Sequence, residues 1–395
     1  MINCANFFDI VTWEQRKLKD LFKEQITNGI INNPGKNELN VKDINVINLY
    51  NGDSINIKDL NYINVSESKL KKYQVRKGDI FLTRSSLKKE GIAKSNILMA
   101  DSGNYVFDDH VMRLRFSNKV IPYFMNQLLF TSKVRAQFIS KAKTGSMTTI
   151  GHNDINKTIV NLPTSTSEQK SVATILRNIN HLIYLQQQKN ADIINLKKAI
   201  LDKIFSNSNI QKWRDIRLNK VLSIPVDEPK EVTNIDDIIS VKLNTQGISK
   251  IPNRFTLKLG STKYYVRHGG QFIFGKQNFF NGSMAIIPSK YDGKVSSKDV
   301  PSLNINKDIV MPYFLWLYLS RPSFYKKTER WATGTGSKRL HIKDLLSLKI
   351  YIPNKNEQLR ICKLMQSLDT QILKSQKHLK ELQSIKKFLL QNMFI

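Results

Sequence analysis

Two stretches of the chain carry apolar residues in alternating steps of four and three. The later one runs Ile361, Met365, Leu368, Ile372, Ser375, Leu379, Leu382, Lys386, Leu389 and Met393, with eight of the ten apolar. The earlier one runs Val172, Leu176, Ile179, Ile183, Gln186, Asn190, Ile193, Lys197, Ile200 and Ile204, with seven of the ten apolar. A seam sustained this long predicts a helix that pairs with another helix as a coiled coil. From Val172 to Ile204 such a helix is ~50 Å long at ~1.5 Å per residue. A proline, Pro163 or Pro353, precedes each seam. A capping box follows it, Ser165 to Glu168 or Asn354 to Glu357, which satisfies orphan backbone N–H groups at the helix start. Lys197 and Lys386 interrupt the two seams at equivalent places. Polar seam residues cost stability and fix register and partner. The plainer alternative is an ordinary core face with snorkelling lysines. The simplest arrangement packs the two helices against each other; run antiparallel, they would hold the domains they follow at opposite ends of a spacer.

Ahead of each seam the pattern is mixed. Short β-type runs, such as Asp79–Thr83 and Gln271–Phe274, alternate with helical stretches such as Pro122–Phe138, where proline suits a helix start. Motifs recur in order. Trp13–Leu18 returns as Trp213–Leu218, Val75–Gly78 as Val266–Gly269, and Val120–Phe124 as Val310–Phe314. Thr144–Ser146 returns as Thr335–Ser337, Glu168-Gln169 as Glu357-Gln358, and Lys197-Lys198 as Lys386-Lys387. The offsets are 200, 191, 190, 191, 189 and 189. Six collinear matches establish a duplication. The fold class is α+β: two tandem related domains, each followed by a long helix, the helices pairing as an antiparallel coiled coil. The segments are 1–163, 164–206, 207–353 and 354–395.

The 395 residues suffice for two or three domains, and 41% hydrophobic content fits a folded chain. Charge changes the picture more: 62 Lys and Arg face 32 Asp and Glu, a net +30. The two helical segments carry only +3 and +5, so +22 lies elsewhere. Such an excess calls for a polyanion, nucleic acid before an anionic membrane. The helices lack the Trp or Phe face of a membrane-surface helix, apart from Phe205, Phe388 and Phe394 near their ends. No run approaches the ~20 apolar residues that span a bilayer. Two cysteines, Cys4 and Cys362, cannot build a disulfide framework or a zinc site, and the N-terminus does not read as a signal peptide. A reducing intracellular setting is expected. No phosphate-cradling loop, dinucleotide fingerprint or His-Glu-x-x-His motif occurs, and the six histidines have no metal-ligand spacing. Glu228-Pro229-Lys230 matches the tail of a nuclease motif and is explained by chance in so lysine-rich a chain.

Two repeated segments suit DNA contact. Lys141, Lys143, Thr144, Gly145 and Ser146 combine cations and hydroxyls with a glycine that admits close backbone approach. Their counterpart is Thr335, Gly336, Ser337, Lys338 and Arg339. The second candidate follows the apolar strand: Arg84, Ser85 and Ser86 in the first half; Lys276, Gln277 and Asn278 in the second. Arg and Lys pair with guanine, and Gln and Asn with adenine, in the major groove. A shared frame with different side chains is what two domains reading different sequences need. A plain turn and ordinary loop divergence are the alternatives.

The whole pattern resembles the specificity subunit of type I restriction–modification systems. The resemblance rests on Trp13–Leu18, Gly78-Asp79-Ile80 and Thr144-Gly145-Ser146. It also rests on Leu162-Pro163 with Glu168-Gln169, and Ile352-Pro353 with Glu357-Gln358. Gly270 departs from it, standing where the first copy has Asp79. The resemblance implies two target-recognition domains, each reading half of a split site in double-stranded DNA. It implies antiparallel helices that measure the bases between the halves and dock two modification (methyltransferase) subunits. It implies no catalytic residue, cofactor or metal in this chain. S-adenosylmethionine, ATP and Mg belong to partners, including motor–nuclease restriction subunits, in a bacterial or archaeal cytoplasm near the nucleoid. The competing readings are a self-sufficient DNA-modifying enzyme and a two-headed nucleic-acid binder or scaffold without sequence preference.

Overall fold

A computed structural model describes residues 12–31, 39–50, 52–101, 103–250, 262–334 and 337–394. Two of the candidate contacts, Thr335 and Gly336, and also Cys4, lie outside them. The chain forms two compact units, Met1–Lys189 with Ser375–Ile395, and Asn190–Lys374. These units differ from the four segments read off the sequence, because each takes a mixed domain together with part of both long helices.

In the first unit a four-stranded antiparallel sheet orders Thr27–Asn28, Val111–Leu114, Ile80–Thr83 and Ser95–Ile97. In the second, Leu222–Ser223, Ser302–Ile305, Phe272–Phe274 and Met284–Ile286 repeat that order. Both central strands are buried throughout, which explains their unbroken apolar runs. Each unit also pairs its opening strand with its last: Trp13–Lys17 with Ile159–Pro163, and Arg214–Arg217 with Lys349–Ile352.

The repeat is one residue out of step at one place. Gly78 (φ +89°) accepts its counterpart in Gly270 (φ +84°), not Gly269. The Arg76 N–H donates to the Asp79 carboxylate at 2.8 Å, and the His268 N–H donates to the Gln271 side chain at 3.0 Å. Gln271 therefore does the turn-closing work of Asp79, and the departure from the first copy lies at Gln271, not at Gly270. Asp79 has a second role: it holds Arg115 through two hydrogen bonds of 2.7 and 2.6 Å.

The stretch Pro122–Phe138 is not one helix. It breaks into Pro122–Leu129 and Ser132–Lys141, because Thr131 is extended and its hydroxyl donates to the Leu128 carbonyl at 2.7 Å. Proline opens Pro122–Leu129 and its counterpart Pro312–Leu319.

The long helices span Thr166–Ile204 and Lys355–Asn392. Asn354 caps the second, accepting from the Glu357 N–H at 2.9 Å. The neighbouring glutamines do more. Gln169 accepts from the Ile121 N–H and donates to the Lys119 and Pro163 carbonyls. Gln358 does the same with Met311, Ile309 and Pro353. Both are about 1% exposed. Each welds a helix start to the proline-led helix of its own domain, which explains why Glu-Gln recurs.

Along the seam, Val172, Leu176, Ile179, Ile361, Met365, Leu368 and Leu382 are buried. Ile183, Ile193, Ile200, Ile372, Leu379 and Leu389 are half-buried. In the first unit Gln186 donates to the Ser375 carbonyl and hydroxyl at 3.0 and 2.9 Å. Asn180 donates to Asp53, whose charge acts on Lys386. The partner number rises as the first helix's number falls, so the helices are antiparallel there. In the second unit Lys197 pairs with Asp369. Lys197 therefore meets a carboxylate, and the plain snorkelling alternative does not describe it.

The helix ends are plugged alike. Phe205 packs on Trp213 and Phe314 with ring centroids 5.7 and 5.9 Å apart. Phe394 packs on Trp13 and Phe124 at 6.5 and 5.4 Å. The recurrent Trp and Pro-Tyr-Phe motifs form these two aromatic boxes.

Candidate nucleic-acid interface

In the first unit the two candidate segments meet. Ser85–Ser86 pairs with Thr148–Thr149, which pairs in turn with Lys143–Thr144, making a small three-stranded sheet. Gly145 closes the hairpin, its N–H donating to the Met147 carbonyl at 3.2 Å. Lys143, Thr144, Gly145 and Ser146 are exposed; Arg84, Ser85 and Ser86 are half-buried. The Arg84 backbone joins both segments: its N–H donates to the His110 carbonyl at 2.8 Å, and its carbonyl accepts from the Ile150 N–H at 3.1 Å.

The second unit has the same frame. The Lys276 N–H donates to the Asp299 carbonyl at 2.9 Å, and its carbonyl accepts from the Leu340 N–H at 2.9 Å. The side chain of Gln277 donates to the Ser337 hydroxyl at 2.9 Å. Thr333 and Arg339 bridge as an antiparallel pair. Gln277, Ser337 and Lys338 are exposed; Lys276, Asn278 and Arg339 are half-buried. Segments about 60 residues apart in sequence thus share one edge in each unit.

The charged groups at these edges are held in place by neighbours. The Arg84 guanidinium donates to the Asp109 carbonyl at 3.3 Å. Burial, and then the charge of Arg84, hold His152 below the usual imidazole range. Lys141 turns inward: its ammonium reaches the Asp154 carbonyl at 3.5 Å and the Thr158 hydroxyl at 3.4 Å, and burial lowers its pKa. That side chain braces the helix after the hairpin, a structural role that its lysine-rich setting in the sequence did not disclose. Lys338 pairs with Glu329 at 2.8 Å, and Arg339 lies 3.6 Å from Asp299. His110, Asp299 and Glu329 were not expected at these edges. His110 and Asp299 stand 189 residues apart, just ahead of matched strands, and that spacing could have marked them.

Among the described residues, one group brings three metal-type ligand atoms within 4.8 Å: Asp108, Asp109 and His110. Its members are already engaged as a turn. Asp108 accepts the His110 N–H at 2.8 Å, and the His110 ring meets the Ser85 hydroxyl at 3.1 Å.

The family model for the type I restriction modification DNA specificity domain matches residues 10–195 and again 212–384. The chain belongs to that family. It is a DNA-recognition subunit of a type I restriction–modification system, and the chemistry belongs to partner subunits. A protein of Methanocaldococcus jannaschii, named as the specificity subunit of the type I restriction enzyme MjaX, is 26% identical over 95% of this chain and 91% of its own length. The type I restriction–modification S subunit from M. genitalium has the same fold at 14% identity, with a TM-score of 0.58 over 100% of this chain and 99% of its own. A chain from a study of complex assembly and conformational transition in the type I system also matches at 0.58, with 15% identity over 96% of both chains. Among the described residues no helix is long and apolar enough to cross a membrane.

Proposed function

We propose that residues 1–163 and 207–353 are the two recognition domains, each reading one half of a split duplex target. Arg84, Ser85, Ser86 and the exposed Lys143–Ser146 hairpin contact one half-site. Lys276, Gln277, Asn278 and the segment through Ser337, Lys338 and Arg339 contact the other. The observation that carries this reading is the pair of matched edges: one backbone frame, on Arg84 in the first and Lys276 in the second, bearing different side chains. Arg and Lys suit guanine, Gln and Asn suit adenine, and the hydroxyls and lysines suit phosphate.

The helices set the number of unread base pairs and carry two modification (methyltransferase) subunits. Exposed apolar side chains beside the seam support the docking role. Ile175, Leu182 and Leu196 fall at one heptad position, as do Leu364 and Ile385 in the second helix. S-adenosylmethionine, ATP and Mg act on the partners, including motor–nuclease subunits, in the cytoplasm.

The test is substitution of Arg84 and Lys276 to alanine, one at a time, in the chain bound to its modification partner. Each change alters preference within one half-site only, by ~1–3 kcal/mol for a bidentate contact. Equal weakening of both halves, or equal binding of all duplexes at matched salt, supports the generic binder instead.

A further inference from the structure

Two apolar side chains stand in the open at the first unit's edge. Leu87, directly after the Ser85–Ser86 strand, is 84% exposed, more than any other large apolar residue described in that unit. Met147, at the tip of the adjoining hairpin, is 38% exposed. With Ser85, Ser86, Tyr50 and His110 they line one open cavity of about 720 Å³. The repeat makes the contrast sharp. In the second unit the residue after the Gln277-Asn278 pair is Phe279, which is fully buried, and the hairpin tip carries Ser337, hydrogen-bonded to Gln277. At the place where the first unit exposes Leu87, beside Met147, the second unit buries Phe279.

Apolar side chains cannot read the donors and acceptors of a base edge. The one apolar feature of the major groove is the thymine C5-methyl group. Resting on the reading above, we infer that Leu87 and Met147 form a methyl-reading contact, so that the first domain's half-site contains a thymine selected by its methyl group. The hydroxyls of Ser85 and Ser86, and the Arg84 guanidinium anchored at its carbonyl partner, flank that contact.

The experiment uses the full chain with its modification partner and a duplex carrying its methylated target. Each thymine of both half-sites is replaced in turn by deoxyuridine, which removes only the methyl group. The expected result is one position, in one half-site, where deoxyuridine weakens binding about fourfold, the worth of one buried carbon. Leu87→Ala and Met147→Ala bind the thymine duplex more weakly and no longer distinguish it from deoxyuridine there. The inference is overturned if no thymine is sensitive, if neither half-site contains one, or if the sensitive thymine remains equally sensitive in both variants. A split target that lacks this sensitivity defeats the inference alone; the absence of any split target defeats the underlying reading as well.

Discussion

Lys197 of the first long helix lays its ammonium on the carboxylate of Asp369 of the second, and the same carboxylate takes the hydroxyl of Tyr313. The residue equivalent to Asp369 in the first helix, 189 positions earlier, is Asn180. There the acid comes from the domain instead: Asp53 accepts from Tyr123 at 2.6 Å and from Asn180. Each unit thus joins a helix to the tyrosine of its Pro-Tyr-Phe motif through an aspartate, but by a different route. Removing one partner of such a pair leaves a half-buried charge uncompensated, whereas removing both does not. Asp369→Leu is expected to destabilise the second unit by about 2–3 kcal/mol, and Lys197→Leu with Asp369→Leu by much less. A double-mutant cycle in urea checks this; additive single effects would contradict the coupling.

Phe394 fills the aromatic box of the first unit as Phe205 fills that of the second. Both are nearly fully buried. Phe394→Ala should cost about 3–5 kcal/mol, the usual range for a buried phenylalanine. Thermal unfolding of the full chain measures it. A shift no larger than that of a surface substitution would show that the box closes without its plug.

Asn190 occupies a seam position where the second helix has Leu379. Its side-chain oxygen is buried without a hydrogen-bond partner. Asn190→Leu removes that desolvation cost and should raise stability by about 1–2 kcal/mol. The expected signature is a higher urea midpoint at an unchanged denaturant slope; a lower midpoint would mean that the amide fixes register.

Asp43 lies on the strand Leu39–Ile44, buried, with one carboxylate oxygen unpartnered. Burial, and then the charge of Asp108, push its pKa up to about 7. Unfolded, the group titrates near ~4. Between these values the folded chain binds more protons, so this contribution to stability is complete below about pH 4 and is lost as pH rises through 7. Asp43→Asn should therefore flatten the decline and stabilise the chain at pH 8, on the order of 4 kcal/mol. Urea midpoints at pH 5 and pH 8 check it; an unchanged pH dependence would contradict the assignment.

Periodicity and duplication made the long helices legible, since a seam at steps of four and three has one structural meaning. The same two signals located the DNA-facing segments, but not their meeting: nothing local says that Ser86 pairs with Thr148. The Glu-Gln motif is legible in the sequence only as part of a cap, because capping is a local rule while Gln169 and Gln358 bond across the domain. The slip at Gly270 has a similar origin. Only φ and the side-chain bond to His268 reveal that Gln271 replaces Asp79. Phe205 and Phe394 are legible as helix-end aromatics, yet their role depends on Trp213 and Trp13, which tertiary packing alone brings to them. Lys141 looked like its neighbours until Asp154 and Thr158 claimed its ammonium.

The most direct measurement is adenine-methylation mapping of genomic DNA from cells carrying this chain with its modification partner, against cells lacking this chain. The expected result is a split methylated motif that appears only with the chain and changes in one half when Arg84 or Lys276 is replaced. No new motif, with the partner active and bound to the chain, would contradict it.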